Sequence, residues 1–254
     1  MDKNDALYLR FPAGLRFFLA PQHRGDAPMP AAPDGTSTLG HLVEAAGVPL
    51  TEVGGLRMDG EPVPFSHIPE GGGTVEVEPV GRPQALPPGP AAFLLDVHFG
   101  SLARRLRLLG VDTAYHNDMD DPALVVQANA ERRVLLTQDR GLLRRKNLWC
   151  GAYVRGTRAE AQLDDVLRRF APGLAPWTRC TACNGLLQPV TKDEVAAEIE
   201  DGTRRTQDVF ARCRDCGQVY WRGAHHARLE AVVAEALRTV SAARAQGAPW
   251  RGGR

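Results

Sequence analysis

A proline-rich stretch about a third of the way along the chain limits what the sequence can fold into. Residues 81–90 hold four prolines and two glycines in ten positions. Such a stretch lacks amide donors for a sheet and cannot sustain a helix, so it predicts an extended linker. The charge balance changes sign at the same place. Residues 1–90 carry 6 Lys and Arg against 11 Asp and Glu, whereas residues 91–254 carry 25 against 19. We therefore expect two separately folded parts.

The composition is that of a globular protein without a membrane-spanning segment. Apolar residues make up 43% and charged residues 24% of the chain, a balance typical of folded proteins. The longest apolar runs, such as Ala91–Leu95, are far shorter than the ~20 residues that a bilayer requires. The first residues, Met1–Asp5, lack the basic and apolar regions of a secretory signal. These features predict a soluble, cytoplasmic protein that does not bind membranes.

The residues before the linker predict a small domain of strands around one helix. Alternating apolar residues over 7–11 and 17–19, separated by a glycine, indicate a β-hairpin. Ser37 is expected to cap a short helix. Asp59-Gly60 marks a tight turn between two further strands, and alternating valines over 74–80 predict a last strand.

This order of elements, β-β-α-β-β, resembles the ubiquitin-like β-grasp domains, near the small sulfur carriers, and we assign it to residues 1–80. Those carriers end in a free Gly-Gly that is adenylated. Here Gly71–Gly73 precedes the last strand and the chain continues beyond it. We therefore expect an accessory or docking module that binds a protein partner, with a sulfur-carrier role as a weaker alternative.

After the linker, residues 91–175 predict an α/β domain with a parallel sheet flanked by helices. The wholly apolar runs Phe93–Leu95 and Val134–Leu136 are typical of strands buried on both faces. An amphipathic helix over 100–109 and a strand over 111–115 lie between them. Strands that alternate with helices imply parallel pairing through right-handed crossovers.

Carboxylates follow three of the predicted strands. Asp96 follows the first strand, Asp121 follows the second at the start of a helix, and Asp139 follows the third. Because the carboxyl ends of parallel strands share one edge of a sheet, we expect the three side chains to converge. Clustered carboxylates repel one another unless a cation neutralises them, and hard oxygen ligands suit Mg²⁺ or Mn²⁺. The pattern predicts a metal-dependent phosphodiesterase.

Each of these acids also has a structural interpretation. Asp121 can cap the helix that it precedes, and the nearby Asp118 and Asp120 can be solvated loop residues. Asp139 can cap the helical turn that follows it or pair with the next arginine. Asp96 directly after an apolar strand is harder to explain structurally, because a partly desolvated carboxylate needs a partner.

Two pairs of cysteines predict a zinc ribbon within residues 176–246. They are Cys180, Cys183, Cys213 and Cys216. Four thiolates in a tetrahedral array suit a structural Zn²⁺ site, whereas disulfides, the alternative, are disfavoured in a reducing cytosol. The 29 residues between the pairs exceed the usual ribbon spacing, so we expect an insertion over 194–210. Cys150 is expected to pack as a small apolar residue.

Three segments resemble the Mut7-C RNase family, a PIN-like nuclease fold. They are Phe93–Asp96, Leu102–Thr113 and Val134–Arg140. The resemblance implies an N-terminal ubiquitin-like domain, a zinc ribbon and acidic family positions at Asp96, Asp121 and Asp139. Two departures concern this site. Val97-His98-Phe99 stands where the family usually has Glu-Met-Leu, and Thr137-Gln138-Asp139 where it has Thr-Arg-Asp.

Basic and aromatic side chains are expected to bind RNA, because arginine matches phosphate and aromatic rings stack on unpaired bases. The candidates are Arg104, Arg105, Arg140, Tyr220, Trp221 and Arg222. Arg107 is also expected on the outer face of its helix. The arginine bias can equally reflect GC-rich codons, and the aromatic side chains can instead cover the small core of the ribbon. His225 and His226 are further candidates for catalysis or substrate binding.

The sequence therefore predicts a metal-dependent ribonuclease with structural Zn²⁺ and catalytic Mg²⁺ or Mn²⁺. A non-catalytic zinc-ribbon module that binds RNA is the alternative, favoured by the missing acid beside Asp96. A last helix over about 226–245 is expected to pack back onto the domain, and residues 247–254 form a tail.

Overall fold

The computed structural model describes residues 6–86, 89, 91–223 and 226–246. The chain divides into two compact units. One holds the described residues up to Gly81 together with Thr137–Tyr153, and the other holds Arg82–Leu136 and the residues from Val154 onward. Pro87, Pro88 and Pro90 of the predicted linker, His225 and the predicted tail lie outside the described residues. No helix of the described residues is long and apolar enough to cross a membrane.

The first unit contains a five-stranded sheet with the order β2-β1-β5-β3-β4. Its strands are β1 (Leu7–Arg10), β2 (Met29–Ala31), β3 (Val53–Met58), β4 (Glu61–Val63) and β5 (Gly73–Pro79). β1 and β5 run parallel, and the other pairs are antiparallel. Its helices are α1 (Ala13–Arg16) and α2 (Leu39–Ala45), and Leu39 and Val43 of α2 are fully buried in the core. The predicted β-grasp architecture is confirmed.

The predicted hairpin over 7–19 is wrong. The chain enters α1 after β1, and the antiparallel partner of β1 is β2, which lies within a second proline-rich segment over 21–33. Phe11, Leu15, Phe18 and Leu19 are all buried, and their spacing of i, i+4, i+7 and i+8 is that of a helical turn and not of an alternating strand. The cap of α2 is also shifted by one residue, because the Thr38 side chain accepts the His41 N–H.

The second unit contains a parallel sheet in which β6 (Ala92–Leu95) lies between β7 (Asp112–Tyr115) and β8 (Val134–Thr137). Leu95 pairs with Leu136 of β8 and with Tyr115 of β7. The flanking helices are α3 (Gly100–Leu108), α4 (Asp121–Ala130) and α6 (Ala159–Phe170). Phe93, Leu94 and Leu95 are fully buried, as a strand covered on both faces requires. The predicted α/β class is confirmed. The short α5 (Arg140–Leu143) and β9 (Gly151–Tyr153) belong to the first unit.

A small antiparallel sheet follows in the second unit, with the order β10-β11-β12. Its strands are β10 (Leu187–Val190), β11 (Phe210–Cys213) and β12 (Val219–Trp221). The insertion between the cysteine pairs contains α7 (Lys192–Val195) and α8 (Asp201–Thr206). The small sheet and the insertion share a hydrophobic core, which consists of Val195, Ile199, Phe210 and Val219. The last helix, α9 (His226–Gln246), packs on α6, and Arg244 donates to the Ala171 and Pro172 carbonyls.

Candidate functional site

Four cysteine sulfur atoms converge in the second unit. All four lie within 4.8 Å of one another, with 3.7 Å between Cys180 and Cys216 and 3.4 Å between Cys183 and Cys213. A tetrahedral zinc site with Zn–S bonds of about 2.3 Å places its sulfurs about 3.8 Å apart, whereas a disulfide needs about 2.0 Å. The cysteines are therefore free thiols in a group that can hold a metal such as Zn²⁺.

The first cysteine loop, residues 180–185, closes tightly because of a glycine. The Gly185 N–H donates to the Cys183 sulfur at 3.4 Å, and its carbonyl accepts the Cys180 N–H at 2.7 Å. A Cβ atom at Gly185 would lie 2.8 Å from the Cys213 sulfur, so a side chain here would displace a ligand. After the second cysteine pair, the Gly217 N–H donates to the Cys213 carbonyl at 3.2 Å.

The ionisation of the thiols suits a group that can hold a cation. Burial raises the pKa of Cys180, but hydrogen bonds from the Tyr220 hydroxyl and from the backbone of Cys183 and Ala182 outweigh it and bring the pKa to about 7. Burial and the neighbouring sulfurs raise the pKa of Cys183 to about 12. One thiolate therefore forms easily and a second one beside it does not. A divalent cation removes this repulsion and allows all four to ionise.

Arg107 is a structural residue of this site that the sequence analysis missed. Its side chain is 3% exposed, not on the outer face as predicted. The guanidinium donates to the Thr113 carbonyl at 2.8 Å and, in the first cysteine loop, to the Ala182 carbonyl at 2.7 Å. Burial lowers its pKa. The local sequence carries no signal for this burial, because Thr181 and Ala182 lie more than 70 residues later.

Asp112 forms a second link between the sheet and the cysteine loop. Its carboxylate accepts hydrogen bonds from Arg133 at 2.6 Å and from the Asn184 side chain at 2.9 Å, and it pairs with Arg179 at 3.2 Å. Burial raises the pKa of Asp112, but these partners outweigh it and hold the pKa below its usual value. Asn184 follows Cys183 directly, so the network fixes one end of the loop that carries two ligands.

Asp96 and Asp121 lie in the second unit. Asp96 follows β6 and is 9% exposed. Its N–H donates to the Leu136 carbonyl of β8, and its carboxylate accepts the Val97 N–H at 2.6 Å. Asp121 is the first residue of α4 and is half-buried. The cap of α4 is Asp120, not Asp121 as the capping interpretation has it, because the Asp120 carboxylate accepts the Ala123 N–H at 2.9 Å.

Asp139 lies in the first unit and caps α5. Its carboxylate is exposed and accepts the Gly141 N–H at 2.6 Å and the Leu142 N–H at 3.2 Å. The cysteines are the only group of three or more His, Cys, Asp and Glu side chains with converging ligand atoms in the part of the chain that the structure describes. The convergence of Asp96, Asp121 and Asp139 therefore stays a prediction.

The six predicted RNA contacts have different surroundings. Arg104, Trp221 and Arg222 are exposed, Trp221 by 41%. Arg105 pairs with Glu160. The Tyr220 hydroxyl lies 3.0 Å from the Cys180 sulfur, and Arg140 donates to carbonyls of the ubiquitin-like fold.

A cleft of about 350 Å³ lies beside Arg104. Its lining consists of Gly100, Arg104, Arg107, Tyr115, Thr181 and Ala182. Two other residues singled out from the sequence lie away from the cleft lining. Cys150 is half-buried immediately before β9. The ring of His226 packs against Trp177 at a tilt of 39°, with centroids 5.0 Å apart.

Comparison with known families decides the affiliation. A family model described as "Mut7-C RNAse domain" matches residues 91–233, more than half of the chain. The chain belongs to the Mut7-C RNase family. A second model, "Mut7-C ubiquitin", matches residues 5–85. Searches of curated proteins and of solved structures gave no match. The predicted order, a ubiquitin-like domain followed by a Mut7-C RNase domain that contains the cysteine group, is confirmed.

Proposed function

We propose that this Mut7-C protein is a ribonuclease that depends on Mg²⁺ or Mn²⁺ and hydrolyses phosphodiester bonds of RNA. Asp96, Asp121 and Asp139 would hold the divalent ion, and the four cysteines would hold a structural Zn²⁺. The observation that carries the proposal is the family match over residues 91–233. We also retain the cytoplasmic location and the predicted domain boundaries as parts of this proposal.

The donor chemistry of the three aspartates suits a hard cation. Asp96 is a largely buried carboxylate at the carboxyl end of β6, where α/β sheets bind their ligands. Its neighbour Leu95 pairs with Leu136, and Asp139 follows Leu136 by only three positions along the chain. The three aspartates would hold a divalent ion there, and the ion would supply a lowered pKa for a water molecule and stabilisation of negative charge on the phosphoryl group.

The other residues would bind and orient the RNA. Exposed Arg104 and Arg222 can pair with phosphate oxygens through two parallel hydrogen bonds. Exposed Trp221 offers a ring on which an unpaired base can stack. Asp139 is held by two backbone amides, so its carboxylate is oriented before substrate binds.

The proposal is tested with purified, zinc-loaded protein and a short end-labelled single-stranded RNA, with and without added Mn²⁺. Asp96→Asn, Asp121→Asn and Asp139→Asn should each lower the cleavage rate by about 100-fold or more, because a neutral amide is a poor metal ligand. Asparagine keeps the side-chain oxygen that accepts backbone amides at Asp96 and Asp139, and Asp120 still caps α4 when Asp121 is changed, so the folds should persist. Asp120→Asn is the matched control, because it changes a capping carboxylate next to Asp121 and should leave the rate unchanged.

A non-catalytic RNA-binding module is the second candidate. Two observations favour it. Among the described residues, only the cysteines form a group of possible metal ligands whose ligand atoms converge. In addition, Val97-His98-Phe99 contains no acidic residue. This candidate predicts RNA affinity that falls with salt and survives all three substitutions. The ribonuclease proposal is wrong if the wild-type protein cleaves no RNA when Mn²⁺ or Mg²⁺ is added, and if its RNA affinity falls with salt and survives the three substitutions.

A further inference from the structure

The ubiquitin-like fold binds a segment of the nuclease sequence. Residues 137–153 lie within the Mut7-C RNase match over 91–233. They nevertheless belong to the same compact unit as the ubiquitin-like residues up to Gly81. This segment begins at Thr137, the last residue of β8, and carries Asp139. Two sets of contacts hold it, one near each end.

The first set centres on Arg140. Its guanidinium donates to the Phe18 carbonyl at 2.7 Å and to the Phe17 carbonyl at 3.1 Å, and it lies over the Phe18 ring, 5.0 Å from the centroid. Phe17 is the residue that ends α1, and Phe18 is the next residue in the turn that follows. Backbone carbonyls in such a turn need hydrogen-bond donors. Arg140 therefore supplies donors to the turn after α1 of the ubiquitin-like domain from more than a hundred residues away.

The second set centres on Tyr153. Its ring packs edge-on against Phe18 with centroids 5.0 Å apart. Its backbone N–H donates to the Glu52 carboxylate at 2.8 Å. Glu52 is 1% exposed, and a buried carboxylate is costly unless it accepts such hydrogen bonds. Arg140 and Tyr153, near the two ends of the segment, therefore both contact the Phe18 ring of the ubiquitin-like fold.

Asp139 directly precedes Arg140, at the first of the two sets of contacts. Its carboxylate is held by the amides of Gly141 and Leu142, and the residue between them and Asp139 is Arg140. Whatever fixes Arg140 therefore fixes the turn that orients the Asp139 carboxylate. The guanidinium is engaged on both of its terminal nitrogens, which leaves it poorly suited to grip a phosphate.

We propose that the ubiquitin-like domain is a built-in docking platform for the nuclease segment over 137–153, and that Arg140 is a positioning residue for Asp139. This inference rests on the proposed function, because the position of Asp139 matters for catalysis only if Asp139 acts in it. It replaces the predicted role of Arg140 in RNA binding by one inside the protein.

The docking is tested by hydrogen exchange on the full-length, zinc-loaded protein. Arg140→Ala should speed exchange in residues 140–145 by about tenfold or more, the factor expected for losing charge-assisted hydrogen bonds. Arg140→Lys, which keeps a point charge without the planar fork, should give a smaller increase. Arg144→Ala, an exposed arginine of the same segment, is the control and should leave exchange unchanged. Unchanged exchange in Arg140→Ala would overturn the proposal.

Steady-state RNA cleavage separates positioning from RNA binding. Arg140→Ala should lower kcat by about tenfold or more with KM for RNA nearly unchanged, because misplacing a group affects the chemical step. A raised KM with normal kcat and normal exchange would mean that Arg140 binds RNA, and would overturn the proposal. If Arg140→Ala does not fold, Arg140→Lys decides, since values equal to wild type in both assays contradict positioning. If the wild-type protein cleaves no RNA, the proposed function fails, whereas the exchange result still decides the docking.

Discussion

The side chain of Asn184 accepts the backbone N–H of Thr113 at 3.0 Å, and this hydrogen bond joins the first cysteine loop to the backbone of the edge strand β7. The carbonyl of the same Thr113 accepts Arg107. An uncovered strand edge presents unpaired backbone groups that invite association with other chains. Here side chains of the cysteine loop and of α3 satisfy that edge. The cysteine loop is therefore part of the nuclease sheet's own structure.

Arg107→Lys should lower the free energy of unfolding by about 2 kcal/mol, because lysine cannot serve the buried carbonyls of Thr113 and Ala182 together and unsatisfied buried groups are costly. Urea unfolding of the zinc-loaded protein, followed by tryptophan fluorescence, measures it. Arg104→Lys, on the exposed face of the same helix, is the control and should change the value by less than about 0.5 kcal/mol. Equal effects of the two variants would contradict the bracing role of Arg107.

Removal of the metal should loosen β7. Without a cation the four thiolates repel one another or take up protons, and we expect the first cysteine loop to open. The Thr113 N–H then loses its hydrogen bond to the Asn184 side chain. Hydrogen exchange of residues 112–115 should therefore accelerate in chelator-treated protein relative to the zinc-loaded protein. Strand β3 of the ubiquitin-like domain serves as the internal control. Unchanged protection of β7 after verified zinc loss would show that the edge does not depend on the metal.

Asp112 should contribute stability that depends on pH. Its folded pKa lies below the unfolded value of 3.8, so the contribution is present above 3.8 and is lost as the pH falls through the lowered folded pKa. Asp112→Asn should therefore cost about 1–3 kcal/mol at pH 7, as for a hydrogen-bonded charge, and the difference from wild type should shrink in strong acid. Urea titrations of both proteins across this range measure the difference. A difference that grows on acidification would contradict the assignment.

The sequence predicted best those features that depend on local chemistry. Phe93–Leu95 and Val134–Thr137 form the central strands because wholly apolar runs fit a sheet covered on both faces. The cysteine pairs converge because two knuckles can bind one cation with little help from distant residues. The predicted hairpin over 7–19 is wrong because Phe17 and Leu19 alternate over only three positions, whereas the buried Phe11, Leu15 and Phe18 follow the helical period.

Features that depend on distant contacts were not predictable. The burial of Arg107 is decided by carbonyls more than 70 residues later, and the environment of Arg140 by carbonyls more than 120 residues earlier. Both arginines were assigned to the surface because charge alone favours exposure. The cap of α4 moved from Asp121 to Asp120 because either residue has the right chemistry and helix starts are ambiguous by a residue.

Gly110 should be more sensitive to substitution than other glycines with the same backbone conformation. It ends α3 with φ of +75°, and a Cβ atom there would lie 1.9 Å from the Ala175 carbonyl oxygen. Gly110→Ala should cost about 3 kcal/mol or more, since backbone must move. Gly35 has the same φ of +75° with nothing within 4 Å, so Gly35→Ala should cost only about 1 kcal/mol. Thermal unfolding of both variants tests this, and similar losses would mean that backbone strain alone decides.

Tyr220 and Trp221 are neighbours with different expected roles. The Tyr220 hydroxyl lies 3.0 Å from the Cys180 sulfur, whereas Trp221 is 41% exposed. Tyr220→Phe should weaken zinc retention against a competing chelator by about tenfold, as loss of a partner to a metal ligand does, and leave RNA affinity unchanged. Trp221→Ala should weaken single-stranded RNA binding by about tenfold through lost stacking and leave zinc retention unchanged. Fluorescence anisotropy at fixed salt measures the RNA affinity. If Tyr220→Phe weakens RNA binding as much as Trp221→Ala does, the hydroxyl contacts RNA and not only the thiolate.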